Sequence, residues 1–174
     1  MKTKKIVTLG MFTAVALTIF VVESYFPPIV PIPGIKMGLA NVVTLLMLFL
    51  YDERDSFAVL LLRIILGSIF TGQAVSFFYS LSGGIACFFI MAVFHRIFRG
   101  KYSILVSMLG AVFHNLGQMA AALALLRTSG VLFYLPVLML SALLTGFFTG
   151  CVALGLSRRL KKLGYGKMTG KENH

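Results

Sequence analysis

Six apolar stretches separated by short polar turns run along the chain, each about long enough for one helix across a ~30 Å hydrocarbon core. The first covers residues 6–26 and follows Lys2, Lys4 and Lys5. It exceeds the roughly 7–15-residue apolar core of a signal peptide, and Glu23-Ser24-Tyr25 closes it instead of a small-residue cleavage site. A retained first helix is expected. Residues 26–35 read FPPIVPIPGI and hold Pro27, Pro28, Pro31 and Pro33, four of the chain's five prolines. Proline fixes φ and donates nothing to a helix ladder, so the segment predicts a stiff extended loop in which Gly34 is free to turn. Its other side chains are apolar, which predicts a loop packed over the outer helix ends as a lid.

The second helix is expected at residues 37–51, barely long enough to cross, and it ends at the charged turn Asp52-Glu53-Arg54-Asp55. This turn reads as a solvated loop. A third helix is expected at 56–72 and a fourth at 74–94. His95-Arg96 and Arg99-Gly100-Lys101 form the next turn. The fifth is expected at 103–126, closed by Arg127-Thr128-Ser129-Gly130, and the sixth at 131–156 with Pro136 in its outer half. The pattern predicts an all-α polytopic membrane protein. Residues 1–157 make a single domain of six transmembrane helices, and 158–174 a basic, frayed cytoplasmic tail.

Composition narrows this further. Of 174 residues, 59% are hydrophobic and only 12% charged, where a soluble domain carries about 25% charged residues. Mean hydropathy is +0.95. A soluble globule, a disordered chain and a secreted disulfide scaffold are excluded. The net charge of +11 would suggest nucleic acid in a soluble chain. Here the basic residues flank apolar segments, which reads as positive-inside anchoring in a lipid bilayer. With six helices, Lys2, Lys4, Lys5, Arg54, Arg96, Arg99, Lys101, Arg158, Arg159, Lys161, Lys162, Lys167 and Lys171 share one side, thirteen of the sixteen basic residues. Only Lys36 and Arg127 fall outside, and Arg63 lies within a helix. Both termini are therefore expected in the cytoplasm. Cys87 and Cys151 sit in apolar segments without metal-ligand spacing and read as small fillers.

Polar groups inside a membrane usually face a bundle interior or a cavity. His114, Asn115 and Gln118 lie together in the fifth helix, with His114 and Gln118 at i,i+4. Asn41 and Thr44 occupy the outer half of the second helix, Gln73 ends the third, and Ser76, Tyr79, Ser80, Gly83 and Cys87 line the fourth. These groups predict a polar pocket from several helices under the proline loop, against the plainer reading of interhelical hydrogen-bond glue. Lys36 stands at the outer mouth of the second helix and Glu23 at the outer end of the first, which suggests an ion pair at the interface. Arg63 either snorkels or needs an anion. Small residues repeat at Gly10, Ala14 and Thr18 in the first helix and at Ala142, Gly146 and Gly150 in the sixth, spacings that let helix backbones approach. Walker A, HExxH and GxSxG signatures are absent from the sequence.

Three stretches point to a family. They are Pro33-Gly34-Ile35-Lys36-Met37-Gly38-Leu39-Ala40-Asn41; Arg63-Ile64-x-Leu66-Gly67-Ser68 with Tyr79-Ser80-Leu81-x-Gly83-Gly84; and Gly110-x-x-x-His114-Asn115-Leu116-Gly117-Gln118. Over residues 6–157 the chain resembles the bacterial membrane family labelled heptaprenyl diphosphate synthase component I, also called the Gx transporter family. That family is similar to the substrate-binding S components of energy-coupling-factor (ECF) transporters, six-helix proteins with a lidded site near the outer surface. The resemblance implies a bacterial cytoplasmic membrane protein that binds a small molecule for an ECF-type transmembrane coupling subunit and its ATPases. Gly10, Ala14 and Thr18 would dock on that subunit, with these residues in place of the usual alanine pair.

The enzyme label meets a chemical objection. Prenyl diphosphate synthases hold Mg²⁺-diphosphate on two aspartate-rich motifs, because hard cations need several carboxylates. This chain has two aspartates, Asp52 and Asp55, in one turn. Catalysis by this chain is therefore not expected, nor a resident cofactor or metal, nor a nucleic-acid partner. The expected function is a substrate-binding subunit whose ligand is contacted by Lys36, Asn41, Arg63, Tyr79, His114, Asn115 and Gln118. Lys36 and Arg63 favour an anionic or amphipathic ligand, for which flavins, isoprenoid diphosphates and quinone precursors all qualify. The alternatives are a non-catalytic membrane component of heptaprenyl diphosphate or menaquinone synthesis, and a scaffold for a flavin- or quinone-linked redox complex.

Overall fold

The computed structural model describes residues 2–26, 36–72, 74–98 and 100–164. Arg99 and the end of the basic tail, with Lys167 and Lys171, lie outside them. The described chain is all-α: α1 (Lys2–Tyr25), α2 (Asn41–Leu50), α3 (Glu53–Thr71), α4 (Ala74–Ile97), α5 (Ser103–Leu126), a short 3-10 turn (Ser129–Tyr134) and α6 (Leu135–Lys162). Four segments are long and apolar enough to cross a membrane: Thr3–Tyr25, Ala74–Ile97, Ser103–Leu126 and Ser129–Lys162. Large apolar side chains such as Phe78, Phe89, Leu140 and Phe148 point outward from them. A helical bundle with an apolar outside is a membrane-protein surface.

The short α2 is the hub. It packs against α1, α3, α4, α5 and α6. Eight of its ten residues are buried, from Asn41 to Leu50, as expected for a helix that is apolar on all sides. At about 15 Å it is half a bilayer core in length. The helix expected from residue 37 begins only at Asn41. Gly38 stands at φ +81°, outside the helical region, and its N–H donates to the Glu23 Oε1 carboxylate oxygen at 2.6 Å. That bond holds the chain out of the helix until the turn at Leu39-Ala40.

The other ends differ from expectation for local reasons. α6 begins at Leu135, not 131, because Pro136 occupies its first turn, where a missing N–H and a preset φ cost nothing. It continues to Lys162, past the expected end at 156, with Arg159, Lys161 and Lys162 in its last turn against the negative end of the helix dipole. The charged turn at 52–55 is more than a solvated loop. Glu53 and Asp55 open α3, where the dipole favours them. Asp55 pairs with Lys5 of α1 at 2.8 Å, and Glu53 takes both Nε and Nη2 of Arg96 from α4.

α4, α5 and α6 form the most extensively packed layer. Gly146 and Gly150 explain the closeness of α5 and α6. A β-carbon at either would lie 2.7 Å from the Met108 Cα or 2.9 Å from the Ile104 Cα. The spacing on α6 is therefore internal packing. On α1 it is not: a β-carbon on Gly10 would meet nothing within 4 Å, and Ala14 and Thr18 are exposed along the same face.

Candidate functional site: a buried polar cluster around Gly38

The polar residues converge where α1 ends and α2 begins. Phe20 in the last turns of α1 supplies the first wall. Its ring lies where a side chain on Gly67 of α3 would be, 2.6 Å from that β-carbon position. Two cations share this ring. The Lys36 Nζ sits 3.5 Å from its centroid and the Arg63 Cζ 5.7 Å, placements that the negative face of an aromatic ring stabilises. Lys36 also donates to Ser24 Oγ at 2.5 Å. Lys36 and Glu23 do not form the direct ion pair expected of them, because the Glu23 carboxylate is turned to the Gly38 N–H.

Arg63 is 2% exposed. Its Nη2 donates to Asn41 Oδ1 at 3.2 Å, while its Nε has no hydrogen-bond partner in the protein. A buried guanidinium without a carboxylate on it is costly, since the charge has left water for partial compensation only. Glu23 acts on it electrostatically from nearby. The cluster thus holds Lys36, Arg63 and Glu23, one positive charge in excess when all are ionised. Burial lowers the Lys36 ammonium to about 8, with Glu23 pulling the other way and Arg63 adding to the depression.

His114 of α5 completes the cluster. Its ring is wedged between two glycines. A β-carbon on Gly38 would lie 2.9 Å from Nε2, and one on Gly83 of α4 would lie 2.9 Å from Nδ1. Gln118 Nε2 lies 3.0 Å from His114 Nε2, as the i,i+4 spacing predicts. With the amide donating, Nε2 is the acceptor and the ring proton sits on Nδ1. Below Gly38, a small void lined by Asn41, Cys87, Ser107, Thr145 and Thr149 has room for about one water molecule.

Of the residues singled out in the sequence, Lys36, Asn41, Arg63, His114 and Gln118 gather around Gly38. Asn115 and Tyr79 are directed elsewhere. Asn115 Nδ2 donates to the Leu138 carbonyl of α6 at 2.7 Å. Tyr79 is buried among Met119, Ala122, Val131 and Leu138. The proline loop expected as a lid (residues 27–33) and Gln73 lie outside the described residues. Sequence reasoning missed Gly38 and Gly83 as the cradle of the imidazole, although both stand inside the quoted motifs. It also missed Thr145 and Thr149, whose i,i+4 spacing on α6 was the available signal; Thr149 meets Ser107 across the helices at 2.9 Å.

Among the described residues seven buried polar side-chain atoms lack a partner in the protein: Glu23 Oε2, Arg63 Nε, Ser76 Oγ, His114 Nδ1, Asn115 Oδ1 and Gln118 Oε1, and, at the other end of α4, His95 Nδ1. Each costs about 1–3 kcal/mol when left dry. What the arrangement can do chemically is hold a polar or anionic group, through one uncompensated cation and several unused donors and acceptors. The family model described as heptaprenyl diphosphate synthase component I matches residues 12–156. No curated protein and no solved structure is significantly similar to the chain.

Proposed function

The chain belongs to the heptaprenyl diphosphate synthase component I family, and we propose that it is the substrate-binding membrane subunit of a small-molecule transporter, built like an ECF S component. The observation that carries this reading is the Arg63–Asn41–His114–Gln118 cluster. It is a charged polar centre drawn from three helices, with unused hydrogen-bonding atoms that bundle cohesion does not require. Its charge excess favours an anionic or amphipathic ligand held by Lys36, Asn41, Arg63, His114 and Gln118, with Tyr79 and Asn115 shaping the wall toward α6.

In this reading residues 1–157 form one six-helix transmembrane domain in a bacterial cytoplasmic membrane, both termini are cytoplasmic, and 158–174 is a tail. The exposed Gly10–Ala14–Thr18 face of α1 docks a transmembrane coupling subunit driven by ATPases. The exposure of that face supports the assignment, since small residues on an outer surface serve a partner helix best. The test is mass spectrometry of small molecules retained by the purified protein, beside the Arg63→Gln variant. Retention of one anionic compound by the wild type alone supports the reading. Identical extracts from both proteins would sink it.

The family's description favours a second reading, a non-catalytic membrane component of heptaprenyl diphosphate or menaquinone synthesis that acts with another subunit. Co-purification separates the two: an ATPase pair favours transport, and a soluble prenyl synthase favours the second.

A further inference from the structure

A cavity of about 400 Å³ opens at the end of the bundle where α4 and α6 finish and α5 starts. We propose that it binds a phosphate group, carried either by a soluble phosphate ester or by a lipid headgroup. Its lining brings together His95 and Arg96 from α4, Ser103 from α5, and Ser157 and Lys161 from α6, with Phe49 of α2 as the apolar side. No lining residue is acidic. The volume lies within the about 300–1,000 Å³ common for small-ligand sites.

The charge at this cavity is open to an anion. Arg96 is held bidentate by Glu53 and so is fixed in place and largely neutralised. Lys161 forms no ion pair among the described residues, and its side chain is exposed at the cavity rim. The His95 Nδ1 atom is buried without a hydrogen-bond partner. Its ring is steadied by Phe49, with ring centroids 5.2 Å apart at 34°.

The start of α5 adds a third element. Its cap position is Tyr102, in the left-handed region at φ 58°, and no side chain caps the first turn. Serine, threonine or aspartate usually fills that position and takes up the free N–H groups. Here a positive helix end reaches the cavity uncapped, with Ser103 at its first position. The turn that brings it there is fixed by Gly100 at φ +74°, whose N–H donates to the His95 carbonyl at 3.1 Å. The uncapped helix start, an imidazole nitrogen and an unpaired ammonium match the acceptor oxygens of a phosphate, while the Ser103 and Ser157 hydroxyls donate to the Gly100 and Leu154 carbonyls. The site is independent of the cluster around Gly38, which lies at the opposite end of α2.

The experiment uses the purified full-length protein. One arm titrates inorganic pyrophosphate and follows binding by calorimetry in detergent. The other counts phosphatidylglycerol molecules retained in native mass spectrometry. Each is repeated with Lys161→Gln, His95→Gln and the control Lys162→Gln. Lys161 is exposed, so its variant keeps the fold even if His95→Gln does not. Binding should weaken about tenfold in Lys161→Gln, the loss of one charge-assisted contact, and stay unchanged in Lys162→Gln. Lys161-dependent pyrophosphate binding identifies a soluble phosphate ester as the source, and Lys161-dependent lipid retention identifies a headgroup. Absence of both, or binding that Lys161→Gln leaves intact, overturns the proposal.

Discussion

Gly38 and His114 compete for one volume: a β-carbon on Gly38 would fall 2.8 Å from the imidazole Cδ2. The close approach joins the entrance of α2 to the middle of α5, and it also needs the positive φ that only glycine adopts freely. Gly38→Ala should therefore cost about 2–4 kcal/mol, from left-handed strain together with overpacking. A thermal melt in detergent checks this, and an unchanged melting temperature would mean that the ring has another place to go.

Arg63 and Glu23 should be energetically coupled. Arg63→Met leaves Glu23 buried with less compensation, and Glu23→Gln leaves Arg63 in the same position. Each single variant is expected to lose stability, and the double variant to lose less than the sum by about 1 kcal/mol or more. Strict additivity in that double-mutant cycle would show that the two charges do not sense each other.

Lys36 sets a pH dependence whose sign follows from its lowered value. The ammonium is charged below about 8 in the folded protein, whereas the unfolded chain keeps its proton up to about 10.5. Between those values the unfolded state binds more protons, so this group's contribution to stability rises with pH. Affinity for an anionic ligand should move the opposite way and fall as pH rises through about 8. Lys36→Met should remove both slopes. Affinity and melting temperature measured on one pH series will show whether they diverge.

Asn115 and Gln118 should separate in their effects. Asn115→Ala removes the bond to the Leu138 carbonyl and should lower stability by about 1 kcal/mol or more with little change in ligand affinity. Gln118→Leu strips the partner of His114 and should weaken ligand binding by about 1–3 kcal/mol. Affinity and melting temperature recorded on both variants decide. Affinity unchanged in Gln118→Leu would mean that the His114 face only binds helices together.

Ala14→Trp tests the outer face of α1. The residue is exposed, so the fold and ligand binding should survive while docking of a coupling subunit is blocked. Transport in a reconstituted system measures the effect, and undiminished transport would move the docking surface elsewhere.

Much of the architecture was legible because apolar runs bounded by charges leave few choices. α4 and α5 start at Ala74 and Ser103, where turn residues stop the pattern. The start of α2 was not legible, since residues 37–40 continue the apolar run and only a distant carboxylate diverts them. The start of α6 was hidden similarly: a proline in an apolar stretch reads equally as a tolerated kink or a first turn. In the site, the His114–Gln118 contact followed from i,i+4 spacing. Asn115, one residue on, is turned by about 100° and meets α6 instead. That Lys36 and Arg63 share the ring of Phe20 depends on the crossing of α1 and α3, which no local pattern encodes.

The hub position of α2 bears on how the protein is made. With eight of its ten residues buried and contacts to α6, it has little surface of its own to offer the lipid. During synthesis the side of α2 that meets α6 must wait until more than eighty further residues have been added and α6 is available to close over it. A ribosome that stalls before Leu135 would release a chain whose innermost helix has lost its cover, which makes the last helix the step at which biogenesis is completed or the product is marked for degradation.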